Sequence, residues 1–221
     1  MSTLDILLKY QDAFALGLGV TLRLCLLIWS AGLIIGTVLG VAGAHWRRSV
    51  GLTTRGISFF LTGVPVLVVL FWLHYPAQAL AGVVIDPFFT AAIALSVINI
   101  FSVADTVRPV LERFPGEFAT AARVCGLSRL QTLRHIQLPL VFHQIAPPLL
   151  TIQVTMLQAT LFASLISVNE IFRVAQQINA IEYRPIEIYT ALAVFFLAIC
   201  LPLNAIAYFL QRRFSRNFND R

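Results

Sequence analysis

The groups in this chain that can do chemistry are few, and almost all of them interrupt apolar sequence. Asn99, Asp105, Gln153, Gln158, Thr160, Ser164, Asn169, Glu170 and Arg23 fall in or beside runs of Leu, Ile, Val, Ala and Phe. A polar group in such a run is costly, which makes each a default functional candidate. Most are amides and hydroxyls, chemistry suited to holding a polar solute rather than to breaking bonds. Gln153, Thr160 and Ser164 are spaced seven and four residues apart, so on a helix they share a face and form a candidate lining stripe. Asn99 and Asp105 are about 240° apart on an ideal helix and share none. Glu170, beyond the fourth apolar block, suits a cationic group of a ligand or an ion pair with Arg173 or Arg184. Structural readings stand beside these: Arg23 can snorkel to an interface, and Ser or Thr hydroxyls often bond their own helix.

Other chemistries lack their residues. His45, His74, His135 and His143 show neither H-x-x-x-H spacing nor a carboxylate cluster, so no metal site is expected. There is no phosphate-cradling G-x-x-x-x-G-K-[ST] and no nucleophile elbow, so the chain is not expected to be an enzyme and any ATP must be hydrolysed elsewhere. Cys25 and Cys200 lie in apolar runs and Cys125 in a polar loop, leaving no extracytoplasmic pair for a disulfide.

The elements that must position these groups are membrane helices. The chain is 58% hydrophobic and only 12% charged, against about 25% charged in soluble domains, and its mean hydropathy is +0.83. Five blocks are long enough to cross ~30 Å of hydrocarbon: roughly 13–44, 57–78, 88–107, 140–168 and 188–210. The first is too long for a signal-peptide core, and Asp5, Lys9 and Asp12 precede it, so it reads as a retained span. Residues 1–11 suit a short helix on the membrane surface. Gly32, Gly36, Gly40 and Gly43 form a small-residue ladder for close packing, within the chain or between subunits. Residues 1–221 read as one membrane domain without an internal repeat.

Arginine sets the orientation. Arg47, Arg48 and Arg55 follow the first block; Arg108, Arg113, Arg123, Arg129 and Arg134 follow the third; Arg212, Arg213, Arg216 and Arg221 end the chain. Residues 76–87 contain no Lys or Arg, and Arg173 and Arg184 are balanced by Glu170, Glu182 and Glu187. The basic segments are expected to be cytoplasmic, with the N-terminus outside and the C-terminus inside. The net charge of +6 arises from this asymmetry and gives no nucleic-acid surface.

The polar stretch 108–139 is the most patterned. It reads Thr120-Ala121-Ala122, three residues, Gly126, nine residues, then Ile136-x-Leu138-Pro139. Phe118, Ala119, Ala121, Ala122, Val124 and Cys125 predict a compact helix face, Gly126 a left-handed stop, and Ser128 the cap of a second helix over roughly 128–137. That helix carries Arg129 and Arg134 opposite Leu130, Leu133 and Ile136. Pro139 marks the entry into the next apolar block. A linker helix pair sealing the end of a bundle would use the same residues.

The spacing resembles the cytoplasmic "EAA" loop of bacterial ABC importer permeases, and the resemblance extends over nearly the whole chain. Gly17-x-x-x-Thr21-Leu22, Gly63-Val64-Pro65, Asp105-Thr106-Val107-Arg108, Pro147-Pro148-Leu149, Glu170, Gln176-Gln177 and Arg184-Pro185-x-Glu187-Ile188-Tyr189 are similar to segments of polar amino-acid uptake permeases. The resemblance implies an all-α, five-span permease bundle in the bacterial inner membrane, with a coupling helix-turn-helix between spans 3 and 4. Glu117, Thr120, Ala121, Ala122, Arg123, Gly126 and Leu127 would dock into two ATP-binding cassette subunits, which hold ATP and Mg; no cofactor is expected on this chain. The other implied partners are a second permease subunit, identical or paralogous, and an extracytoplasmic solute-binding protein; the implied solute is a polar amino acid or a derivative. Thr120 replaces the motif's glutamate, Thr62 an arginine, Ser102 a tyrosine, and Gln158-Ala159-Thr160-Leu161 the Lys-x-Thr-Ser pattern. These losses fit a diverged member or one half of a heterodimer. The alternative class, an ion-coupled secondary transporter or channel subunit, calls for inverted repeats and a midplane ion site, neither of which the sequence supplies.

Overall fold

The computed structural model describes residues 3–219, leaving aside the side chains of Ala119 and of residues 214–219. It is built of helices, with no strand among the described residues. They are α1 (Thr3–Lys9), α2 (Gln11–His45), α3 (Arg47–Gly63), α4 (Val66–Ala81, with a turn at Tyr75), α5 (Pro87–Glu112), α6 (Gly116–Val124), α7 (Arg129–Ile166), α8 (Ile171–Glu182) and α9 (Pro185–Asn219). Four of these, α2, α5, α7 and α9, are long and apolar enough to cross a membrane, and α3 with α4 makes a fifth span if the bent pair counts as one. Of the basic tail, Arg221 and the side chain of Arg216 lie outside the described residues, as do Met1 and Ser2 of the expected surface helix.

Two expectations about element boundaries are corrected. The second apolar block, 57–78, is not one straight span: α3 and α4 meet at 96°. Pro65 has no N–H to continue a helix and disfavours helical geometry at the residue before it, and Val64 is extended at φ −102°, ψ 128°. The second loop helix and the fourth apolar block, by contrast, are one continuous α7. Pro139 does not interrupt it, because the turn before the proline widens: the Leu138 N–H reaches back five residues to the Leu133 carbonyl, where a regular turn would reach four.

The third apolar block, α5, is the central element. Its N-terminus is fixed by Asp86, whose carboxylate accepts from the Phe88 N–H at 2.8 Å, and by Pro87 at the first helical position. Ala91, Ala94, Leu95, Ile98, Val103, Ala104 and Val107 are buried along it. Hydrocarbon supplies no hydrophobic drive between helices, so α2 and α5 must cohere by close contact. The glycine ladder provides it, settling its partner as the chain itself. A Cβ at Gly36 would stand 2.6 Å from the Ile100 carbonyl, one at Gly40 2.8 Å from Val103's neighbour one turn on, Val107, and one at Gly32 2.1 Å from the Asn99 amide nitrogen.

Gly19, on the same helix, has open space where its Cβ would go. Gly32→Val is therefore expected to destabilise the protein by about 1–3 kcal/mol through overpacking, and Gly19→Ala to leave stability unchanged or slightly raised. Denaturant titration of the purified chain in detergent measures both. Equal behaviour of the two variants would show that the ladder does not set the α2–α5 distance.

Candidate functional site

At the middle of the bundle, three spans meet through polar groups. Asn99 of α5 is fully buried and donates from Nδ2 to the Ile28 carbonyl of α2 at 2.9 Å and to Gln153 Oε1 of α7 at 3.0 Å. Gln153 returns a bond from Nε2 to Asn99 Oδ1 at 3.4 Å. Its carbonyl accepts from Trp29 Nε1 of α2 at 3.0 Å. The clamp exists because Gly32 leaves room for the Asn99 amide and because the α2 turn at Gly32–Gly36 is widened. Every amide in it is engaged within the chain.

The expected stripe of Gln153, Thr160 and Ser164 is thus inward-facing. All three are buried. The Thr160 hydroxyl donates to the Leu157 carbonyl at 2.6 Å and the Ser164 hydroxyl to the Leu161 carbonyl at 2.7 Å. The last turns of α7, Thr160–Ile166, tighten to 3₁₀ geometry, which rotates Ser164 away from the α-helical register that the spacing assumed. The opposite face of α7 is open. Gln144, Pro148, Thr151, Thr155, Gln158, Phe162 and Leu165 are exposed at alternating steps of four and three. Gln158 was foreseen, whereas Thr151 and Thr155 were not. Their signal was present as the same spacing one register over, but periodicity alone does not say which of two polar faces a neighbouring helix covers.

Asp105 and Asn99 serve different partners. Asp105 bonds Arg108 one turn on and accepts from the Ser58 hydroxyl of α3 at 2.5 Å. Arg108 is buried and also lies 3.9 Å from Glu112, which Arg47 approaches at 3.6 Å. The set ties α3 to α5 beside the polar loop.

The loop is capped on both sides of its turn. Gly126 has φ +75°, its N–H bonds the Arg123 carbonyl at 3.0 Å and the Leu127 N–H bonds the Ala122 carbonyl at 3.0 Å, the paired bonds of a Schellman stop. Ser128 then caps α7 in a reciprocal box with Gln131. Ala122 is 2% exposed and faces the chain, whereas Glu117, Thr120, Ala121, Arg123 and Gly126 are exposed and Leu127 is half-buried. Val124 and Leu130 present apolar side chains that are 83% and 73% exposed. The result is a rigid knob with an uncovered apolar tip.

At the other end, Glu170 is fully buried and caps α8, accepting from the Phe172 N–H at 2.9 Å and the Arg173 N–H at 2.8 Å. The Arg173 guanidinium turns instead to the Ser164 carbonyl, at 2.9 Å, and Arg184 pairs with Glu187 at 3.4 Å. The α8 N-terminus rests on α2 where Gly17 lacks a side chain, and the Ile171 N–H donates to the Thr21 hydroxyl at 3.2 Å, so the Gly17-x-x-x-Thr21 spacing is a helix-docking device. Asn169 is exposed and accepts from Gln177 at 3.4 Å. No group of three His, Cys, Asp or Glu able to hold a metal occurs among the described residues.

Burial pushes the Glu170 carboxyl up to about 7, against the opposing pull of the two backbone donors and Arg173. A carboxyl raised on folding stabilises the fold fully at pH below its unfolded value near 4.5, and that contribution is lost as pH rises through about 7. Thermal unfolding in detergent is therefore expected to shift downward between pH 5 and 8 in the wild type and to be flatter for Glu170→Gln. Parallel pH profiles for the two proteins would remove Glu170 as the source.

The architecture and sequence have known counterparts. Residues 32–216 match the family described as binding-protein-dependent transport system inner membrane component. The glutamine transport system permease protein of Escherichia coli strain K12 is 30% identical over 201 residues, covering 89% of this chain and 90% of that one. The L-cystine transport system permease protein of Bacillus subtilis strain 168 is 30% identical over 202 residues, with 90% and 86% covered. The octopine transport system permease protein of Rhizobium meliloti is 29% identical over 215 residues, with 92% and 85% covered. Among solved structures, a crystal structure of an amino acid ABC transporter with histidines superposes with a TM-score of 0.81 at 23% identity, covering 96% of this chain and 99% of that one, which speaks to the fold. With a capped helical knob, a polar-lined span and a family match over most of its length, this chain belongs to the family of inner-membrane components of binding-protein-dependent transport systems.

Proposed function

We propose that this chain is the permease subunit of an ABC importer and, with a second permease, encloses the path of a polar amino acid or amino-acid derivative, while separate ATPase subunits hold ATP and Mg. The observation that carries this reading is the exposed polar face of α7. Thr151, Thr155 and Gln158 stand open in an otherwise apolar span; the two threonine hydroxyls donate to the Pro147 and Thr151 carbonyls of their own helix, but lipid would leave the Gln158 amide unmatched. They suit a water-filled path between two subunits related by a two-fold axis. The solute class rests on the relatives, which are named for glutamine, L-cystine and octopine transport. An extracytoplasmic binding protein would deliver the solute.

In this reading the bent pair α3–α4 serves as the second of five spans. The knob of residues 116–130 is the coupling element, with exposed Ala121, Val124 and Leu130 entering a cleft of the ATPase and Gly126 keeping the turn. The arginine-rich ends face the cytoplasm, so the N-terminus lies outside and the C-terminus inside. Nothing in the site favours an ion-coupled transporter or channel: the clamp amides are spent on one another, and no cluster of acidic groups occurs among the described residues.

Orientation is checked with cysteine chemistry. Cys125 is exposed, whereas Cys25 and Cys200 are buried. An impermeant maleimide is expected to label Cys125 only in inside-out vesicles, and Val84→Cys, at a position 99% exposed, only in right-side-out cells carrying Cys125→Ser. The reverse pattern would invert the topology.

Coupling and transport are tested together in a reconstituted assembly with its binding protein, reading ATP-dependent uptake of labelled glutamine, cystine and basic amino acids. Ala121→Arg is expected to abolish co-purification of the ATPase and all uptake. Gly126→Val, at a cost of about 1–2 kcal/mol for the left-handed residue, is expected to lower uptake with the chain still inserted. Normal uptake by Ala121→Arg would dismiss the knob, and ATP-independent, ion-driven uptake would favour the secondary transporter.

A further inference from the structure

Arg23 is an arginine inside an apolar helix for which no hydrogen bond or ion pair occurs among the described residues. It is exposed, and it sits six residues from Trp29 of the midplane clamp, about 9 Å toward the α1 end of α2 at ~1.5 Å per residue. A charge there is expensive unless something compensates it. It opens onto a cavity of about 640 Å³ between α2 and α8, whose lining includes Tyr10, Gly17, Gly19, Asn169 and Gln177. Volumes of that size are typical of small-molecule sites.

The polar groups at the Arg23 end of this cavity are incompletely used. Gln177 Nε2 donates to Asn169 Oδ1 at 3.4 Å, leaving the Asn169 amide hydrogens and the Gln177 carbonyl without a protein partner among the described residues. A guanidinium with an amide donor suits a carboxylate, and a carbonyl acceptor beside them suits an ammonium group. Gly19 gives the wall open space, with nothing within 4 Å of where a Cβ would lie. At the opposite end, Tyr10 is held by its hydroxyl to Glu182 at 2.6 Å, and Lys9 holds the same carboxylate at 2.6 Å. That ion pair keeps α1 against α8.

The geometry points to this cavity as a binding site for a small carboxylate-bearing zwitterion, with Arg23 and Asn169 holding the carboxylate and Gln177 accepting from the ammonium group. It deepens the proposed function, on which its assignment to an amino-acid solute rests. The site lies apart from the polar face of α7 and toward the end where the solute would arrive, so it acts as an entry station before the path. The phosphate of phosphatidylglycerol shares the affinity for arginine, but that headgroup brings no ammonium group to the Gln177 carbonyl.

The test uses the whole assembly in nanodiscs and two readings. In the first, phenylglyoxal modification of Arg23 is followed by peptide mass spectrometry with L-glutamine, with 4-aminobutanamide, which lacks the carboxylate, and with or without phosphatidylglycerol. L-Glutamine is expected to slow modification at least about fivefold, and the decarboxylated analogue and the lipid to have no effect. Protection by phosphatidylglycerol alone would reassign the cavity to a lipid headgroup, and absence of protection by any of them would overturn the site. In the second, uptake is compared for wild type, Arg23→Gln and Arg23→Lys. Loss of a charge-assisted contact worth about 1.5–3 kcal/mol corresponds to a KM roughly 10–150-fold higher for Arg23→Gln, with partial retention by Arg23→Lys and ATPase association intact. An unchanged KM in Arg23→Gln would sink the entry role. A wild type that takes up no amino acid while Arg23 is still protected would instead remove the amino-acid reading and leave the carboxylate site standing.

Discussion

In hydrocarbon a polar side chain has two acceptable destinations, another polar group or a water-filled space, and that restriction orders this molecule. Asn99 and Gln153 take the first course. Each is buried and spends its amide on the other, while a carbonyl of α2 and the Trp29 indole complete the set. Individual bonds of this kind in membranes contribute only about 0.6 kcal/mol on average. Their value here is positional: three spans can come together at the clamp in one register, and only with Gly32 beneath the amide. The exposed Thr151 and Thr155 hydroxyls bond carbonyls of their own helix, and Gln158 is left to the second course.

The same restriction explains the two ends. Arg108 is buried beside the knob, where Asp105 and Glu112 on its own helix share its charge. At the opposite end the peptide groups opening α8 would be unmatched without Glu170, so a carboxylate that reads as a ligand candidate in sequence is spent as a helix cap. Caps and clamps of this sort satisfy the backbone where the chain leaves and re-enters the apolar layer.

Much of this was legible in the residues. Three of the five apolar blocks fall within helices of spanning length and a fourth overruns its helix by two residues, and the stop at Gly126 and cap at Ser128 lie where the spacing placed them, because local rules govern turns and length governs spans. The 96° bend was not anticipated although Pro65 was in view, since proline inside a membrane helix is often tolerated and hydropathy carries no direction. The open face of α7 was harder still. Two polar faces run along α7, and choosing between them requires knowing that Asn99, 54 residues earlier, covers one of them. No window of sequence holds that information.

The continuity of α7 also has a mechanical consequence. At ~1.5 Å per residue, the rod from Arg129 to Ile166 is about 57 Å long, and Gln153 divides it into arms of roughly 36 Å and 20 Å. Gln153 is where α7 hydrogen-bonds both α2 and α5, and Val141 and Ile145 of the longer arm also pack on Val103 and Val107 of α5, so the clamp acts as a fulcrum where that apolar packing slides. A sideways push on the knob would swing the far end in the opposite sense by a little over half the distance, opening one mouth of the bundle as it narrows the other.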